Sequence, residues 1–257
     1  YSDSGLNGMS QTYHELYRSR LARGPWRDRA RPILINNWEA TYFDFDEEKI
    51  LKLARTAKDV GVELFVLDDG WFGRRDDSRS SLGDWYPYRK KLPEGVAGIA
   101  RRIEEMGLAF GLWIEPEMVN KDSDLYRAHP DWMLSAPGRS ACHGRNQFVL
   151  DFSREEVVEY IYQMLRHVLD EAPVSYIKWD MNRCMSEVYS RAGRPEEQGM
   201  VFHRYILGVY SLYEKLIRRY PHILLESCAS GGARFDPGML YYAPQCWTSD
   251  DTDAVER

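Results

Sequence analysis

Lys178, Asp180 and Asn182 stand at every second position of the stretch Val-Ser-Tyr-Ile-Lys-Trp-Asp-Met-Asn-Arg, residues 174–183. The run that precedes them is β-branched and aromatic (Val174, Tyr176, Ile177) and reads as a strand. A strand has period two, so the three polar groups leave it on one side, at its C-terminal end. A cation beside a carboxylate favours the ionised form of that carboxylate, and such an anion suits a nucleophile. A second acid, Asp250, closes another apolar run, and Asp251 and Asp253 nearby would raise its pKa by like-charge repulsion. One ionised and one protonated carboxyl facing a shared pocket is what a retaining glycosidase requires. The first attacks the anomeric carbon, the second protonates the leaving oxygen, and about 5 Å separates them. The competing reading of the same residues is a buried structural pair of Lys178 with Asp180.

Further polar clusters follow other apolar runs. Asp68 and Asp69 are adjacent acids, costly to place side by side unless something binds them; vicinal sugar hydroxyls would do so, and a helix cap or loop acid is the plainer alternative. Trp38 and Trp113 are candidate platforms for the apolar face of a pyranose, against a place in the core. Ser230, Gly231 and Gly232 make a tight turn first, and a close approach of backbone to ligand second. The six histidines show neither HxH nor HExxH spacing, which argues against a metal site, and no GxSxG occurs to mark a serine nucleophile.

These groups need a scaffold. With 257 residues, 44% of them hydrophobic and 29% charged, the chain is long enough for one large α/β domain. A net charge of −6 from 34 basic and 40 acidic residues argues against a nucleic-acid or anionic-membrane surface. Cys142, Cys184, Cys228 and Cys246 lack CxxC spacing and read as reduced thiols of a cytoplasmic protein. Apolar runs predict strands at residues 33–37, 63–68, 109–114, 147–152, 174–179, 223–226 and 245–249. Helical periodicity predicts helices between them: one capped by Asp44 or Asp46 and stopped by Gly61, one at 99–106, one at 125–129, one at 154–169 with a Ser153/Glu156 capping box, and one at 197–219. Strands without simple alternation fit a parallel sheet covered on both faces. Polar clusters at nearly every strand end fit a (β/α)8 TIM barrel, whose site lies at that face. An open doubly wound sheet would show a glycine-rich phosphate turn after its first strand, and none is present. The expected organisation is a lead-in segment at 1–31 packed on a barrel at 32–257. Seven strands fit, so the expectation is a segment of a longer protein, truncated before the eighth strand, which would lie between strands seven and one.

Trp38, the run Leu-Asp-Asp-Gly-Trp-Phe-Gly at 67–73, residues 112–118, Lys-Trp-Asp-Met-Asn-Arg at 178–183, Cys-Ala-Ser-Gly-Gly at 228–232 and residues 247–253 together resemble the catalytic barrel of the α-galactosidases of glycoside hydrolase family 36. The resemblance runs from about residue 16 onward. It implies a retaining enzyme acting on melibiose, raffinose-type oligosaccharides and galactosylated polymers, with no metal or organic cofactor, no nucleic-acid or membrane partner, and a homo-oligomeric full-length form. It carries the nucleophile onto Asp180 and the acid/base onto Asp250. Galactose contacts fall on Asp68, Asp69, Trp113, Arg145, Lys178, Asn182, Cys228 and Gly231, with Asp68 and Asp69 holding O4 and O6. Three other readings compete: a galactosyltransferase of the raffinose or stachyose synthase type, a metal-assisted enzyme with Lys178 as base and Asp68, Glu115 and Asp151 as ligands, and a non-catalytic sugar-binding barrel.

Overall fold

A computed structural model of the chain describes residues 2–251, 253, 255 and 256. Tyr1 of the lead-in segment, Thr252 and Ala254 near the last motif, and Arg257 at the end of the expected barrel segment lie outside the described residues. Six strands form one parallel sheet in the order β1 (Leu34–Asn36), β2 (Leu64–Leu67), β3 (Ala109–Ile114), β6 (Tyr176–Trp179), β7 (Leu224–Ser227) and β8 (Gln245–Cys246). The remaining two, β4 (Met118–Asn120) and β5 (Gln147–Val149), make a separate antiparallel ribbon. This corrects the expectation that residues 147–152 supply a strand of the main sheet. Glu115 to Glu117 break β3, the chain resumes as β4, and β5 pairs back on it with Asn120 opposite Gln147. β3 therefore meets β6 directly, Trp113 beside Lys178, and the strand that carries Asp180 is fourth in the sheet.

Alternation along the strands separates two cores. Leu64 and Val66 of β2 cluster with Tyr176 and Leu224 on the inner face, while Phe65 and Leu67 pack outward into the larger core under the helices. Both faces are buried, so the apolar runs show no polar alternation. Gly111 makes room for the inner layer: a Cβ there would lie 2.8 Å from Tyr176 and 3.1 Å from Val66. Leu34 to Asn36 of β1, and Trp247 and Asp250 just past β8, line one cavity, so the sheet curls until its first and last strands flank a single opening.

The covering helices start and stop where local chemistry dictates. Asp46 caps the helix Glu47–Asp59 by accepting the Lys49 N–H at 2.9 Å, and Ile50, Leu51, Ala54 and Ala57 form its buried stripe. The helix before β3, Gly95–Glu105, starts earlier than its periodicity suggested. The expected Ser153 cap does not form. Ser153 turns its hydroxyl onto Asp151, and Glu156 takes the Arg154 side chain, so the helix Glu155–Glu171 begins without a side-chain cap. Residues before β1 are tied to the outer helices: Arg23 pairs with Glu214 and lies 4.2 Å over the Tyr241 ring, and the Trp26 indole donates to His222 O at 2.9 Å. All four cysteines are free. Among the described residues no helix is long and apolar enough to cross a membrane.

The helix Val201–Arg219 crosses the chain at Phe152 so closely that a Cβ on Gly208 would lie 1.9 Å from the Phe152 carbonyl oxygen. Backbone cannot yield as a side-chain tip can. Gly208→Ala is expected to cost about 3 kcal/mol of stability, read as a lower denaturation midpoint.

Candidate active site

The strand ends meet in a cavity of about 460 Å³ lined by Asn36, Trp38, Asp68, Asp69, Trp113, Arg145, Lys178, Asp180, Asn182, Trp247 and Asp250, with Leu34, Ile35 and Glu39. Its placement follows from the period of the strands: Asp68, Trp113, Lys178 and Asp180 leave the same face of neighbouring strands at their C-terminal ends.

Asp180 is buried and both of its oxygens accept hydrogen bonds. Oδ2 accepts the Trp113 indole N–H at 3.1 Å and the Asn182 amide at 2.7 Å, and Oδ1 accepts the Met181 backbone N–H at 2.9 Å. Asn182 is itself held, accepting the Ser230 hydroxyl at 2.8 Å. These donors fix the direction in which the carboxylate points. Lys178 does not bridge to Asp180 as the sequence suggested. Its ammonium lies 3.5 Å from Asp68 Oδ2 and 5.0 Å over the Trp247 ring. Burial works against that cation, but Asp68 first and Asp180 after it hold its pKa above the ordinary lysine value. Burial pushes the Asp68 carboxyl above the ordinary aspartate value, opposed by Lys178, the Asn36 amide and the Asp69 N–H at 2.8 Å.

The cost of adjacent acids at 68 and 69 is met by separate cations. Asp69 receives Arg75 through two bonds, Nε to Oδ1 at 2.7 Å and Nη2 to Oδ2 at 2.8 Å, and Arg75 is fully buried. Arg75 also donates to Ser80 O at 2.6 Å and Asn120 Oδ1 at 3.1 Å. Asn120 in turn donates to Asn146 O at 2.9 Å, beside the turn that carries Arg145. That turn closes with Gln147 N donating to Gly144 O at 2.8 Å, and both its central residues are left-handed, Arg145 at φ 53° and Asn146 at φ 60°. Two successive positive φ angles match the twist of an antiparallel ribbon and aim the exposed Arg145 at the cavity.

Asp250 is exposed at the rim, with the Trp247 indole N–H donating to its Oδ1 at 2.8 Å. Two sequence candidates do not line the cavity. Cys228 lies beneath it with its thiol against Asp180, and burial followed by that negative charge pushes the thiol pKa up, which keeps it a proton donor. Gly231 (φ 95°) lets the 228–232 loop pass the segment after β8, since a Cβ there would stand 3.0 Å from Ser249 Cα. Sequence reasoning did not single out Asn36, Glu39, Trp247 or Arg75. Asn36 follows Leu34 at strand period and was detectable on that ground; the place of Arg75 depends on how a long loop folds. The three carboxylates of the metal-centred alternative stay apart, and among the described residues no group of three or more His, Cys, Asp or Glu stands where it could hold a metal ion.

A parallel α/β sheet that gathers acids, a cation and indole rings around a cavity at its C-terminal edge defines a barrel-type protein with its site on the strand ends. The chain belongs to the Melibiase family, whose model matches residues 1–257. Among its relatives, α-galactosidase AgaA of Geobacillus stearothermophilus is 64% identical over 257 residues, covering 100% of this chain and 35% of the relative. α-Galactosidase Mel36A of Lactobacillus acidophilus is 52% identical, again over 100% of this chain and 35% of its own length. The chain thus spans about a third of the length of these relatives. The crystal structure of AgaA superposes with a TM-score of 0.97 over 100% of this chain and 36% of that one. A variant of AgaA crystallised with raffinose, 64% identical, superposes at 0.96 over 99% of this chain and 36% of that one.

Removing one member of the Asp69–Arg75 pair strands a buried charge. Arg75→Met is expected to cost about 3–5 kcal/mol in unfolding experiments, and Arg75→Lys less, because the charge returns without the paired geometry.

Proposed function

We propose that the chain carries the sugar-binding and catalytic pocket of a retaining α-galactosidase, and that its six parallel strands are six of the eight of a (β/α)8 barrel formed by residues 32–257 and flanking sequence. The observation that carries the reading is that Asp180 and Asp250, 70 residues apart in the chain (250 − 180), line one cavity with Asp68, Asp69, Lys178 and Trp113. The relatives named α-galactosidases, and the AgaA variant solved with raffinose, support hydrolysis of raffinose-type substrates.

Galactose would enter with its hydroxyls toward Asp68 and Asp69, whose lone pairs accept O–H groups while Lys178 and Arg75 hold the acids in place. The axial O4 falls to this pair, which separates galactose from glucose. The Trp113 ring lies beside Asp180, and Trp38 at the rim is the platform for the leaving sugar. Asp180 attacks the anomeric carbon as its bond to the glycosidic oxygen breaks, and Asp250 delivers a proton to that oxygen. A covalent β-galactosyl ester on Asp180 results. Asp250, now a carboxylate, takes a proton from water as the water attacks the same carbon, the ester bond breaks, and galactose leaves with its original α configuration.

Release of 4-nitrophenol from its α-galactoside, with little from its α-glucoside, is the first expected result in the full-length protein. Asp180→Ala should abolish turnover, and added azide should restore some of it as the β-galactosyl azide. Asp250→Ala should lower kcat on natural oligosaccharides by about 10²–10⁴-fold and yield the α-azide instead. If Asp251→Ala proves as damaging as Asp250→Ala, the acid/base lies elsewhere. Trisaccharide formation outrunning galactose release at high acceptor concentration would favour the transferase.

A further inference from the structure

Two glutamates follow β3, and both are wholly inaccessible to solvent. Glu117 has its own cation: Arg234 Nη1 donates to its two oxygens at 2.8 and 2.9 Å, and the Trp179 indole and Tyr205 hydroxyl complete the set. Glu115 has none. Its Oε1 accepts the Asn182 backbone N–H at 2.7 Å, and its Oε2 lies 2.8 Å from the Gln147 side-chain amide nitrogen. The charges that act on it are Asp180 at the end of β6, Asp69 after β2, and the guanidinium of Arg75, which is already engaged with Asp69. An ionised Glu115 would be an uncompensated buried anion beside the proposed nucleophile.

A second observation points the same way. Gln147 Oε1 is a buried acceptor with no donor. The two ends of an amide are alike in shape, so the side chain can also be placed turned over, with its oxygen toward Glu115 and its NH2 where Oε1 now stands. That arrangement makes a hydrogen bond only if Glu115 brings a proton. Burial, then repulsion from Asp180, pushes the Glu115 carboxyl up to about 8 from an ordinary 4.5.

We propose that Glu115 is a proton-bearing positioning residue: as a neutral acid it accepts from the Asn182 backbone on one oxygen and donates to the Gln147 amide with the other. Through Asn182, whose side chain lies 2.7 Å from Asp180 Oδ2, it sets the nucleophile. Gln147 closes the turn that presents Arg145, so the same acid ties the sheet to the ribbon. The catalytic consequence rests on the α-galactosidase reading; the protonation does not.

Thermal unfolding of the full-length protein across pH tests it. The folded state keeps a proton that the unfolded chain sheds above pH 4.5, so this contribution is fully present below 4.5 and is lost as pH rises toward about 8. Glu115→Gln cannot lose it. The Tm of the variant minus that of the parent should therefore widen by at least about 2 °C between about pH 5 and about pH 8, and a gap that stays level overturns the proposal. Should Glu115→Gln fail to fold, Asp180→Asn decides: with the facing charge gone, the parent's loss of Tm over that range should shrink, and an unchanged loss overturns it. In kinetics, Glu115→Ala, which also removes the acceptor for Asn182, should have a kcat at least tenfold below that of Glu115→Gln, and equal values would count against the positioning role. Because the Tm curves do not read turnover, a widening gap in a protein without galactosidase activity would sink the proposed function and leave this inference standing.

Discussion

Two neighbouring carboxylates held in a dry sheet by two different cations are the constraint on which this pocket depends. Asp68 and Asp69 leave the end of β2 together, both buried, and a carboxylate is costly to bury without a partner. Lys178 reaches Asp68 from two strands away, and Arg75 folds back from the following loop to clasp Asp69 with two bonds. Each pairing orders something larger. Lys178 brings β6, and with it Asp180, into register against β2 across β3, while Arg75 fixes the long loop and, through Asn120, the ribbon. The polar face is thus built by satisfying charge, and its geometry is a by-product of that.

The period-two placement of Lys178, Asp180 and Asn182 was legible in the sequence because it is local: dihedral preference alone puts alternate residues on one side of a strand. The five other main-sheet strands, the Asp46 cap and the gathering of Asp68, Trp113 and Asp250 near Asp180 were legible for similar reasons. Partners were not. Residues 147–152 carry the apolar signature of a sheet strand, but nothing in it says that β4 rather than β3 lies alongside. Lys178 sits two residues from Asp180 in the chain yet finds Asp68, which leaves the same face of the sheet two strands away. Ser153 shows the same limit at a helix start, where a nearby acid outcompeted the backbone for its hydroxyl.

Glu115 and Glu117 have the same burial and opposite company. One is balanced by Arg234, Trp179 and Tyr205, and it pins the loop after β7 to the C-terminal edge of the sheet. The other has only uncharged partners, the Asn182 backbone and the Gln147 amide. Chemistry that looks alike in a string of letters is set apart by neighbours drawn from three other elements.

The wall of the cavity opposite the main sheet is a graft. Arg145 belongs to the turn that leads into β5, whose ribbon shares no ladder with the six parallel strands, and that turn is moored by a few side chains, Asn120 and Arg183 among them. A module of that kind can be lengthened, shortened or exchanged while the sheet keeps its register. The rim of the cavity therefore has a part that can be remodelled separately from the acids and indoles on the strand ends.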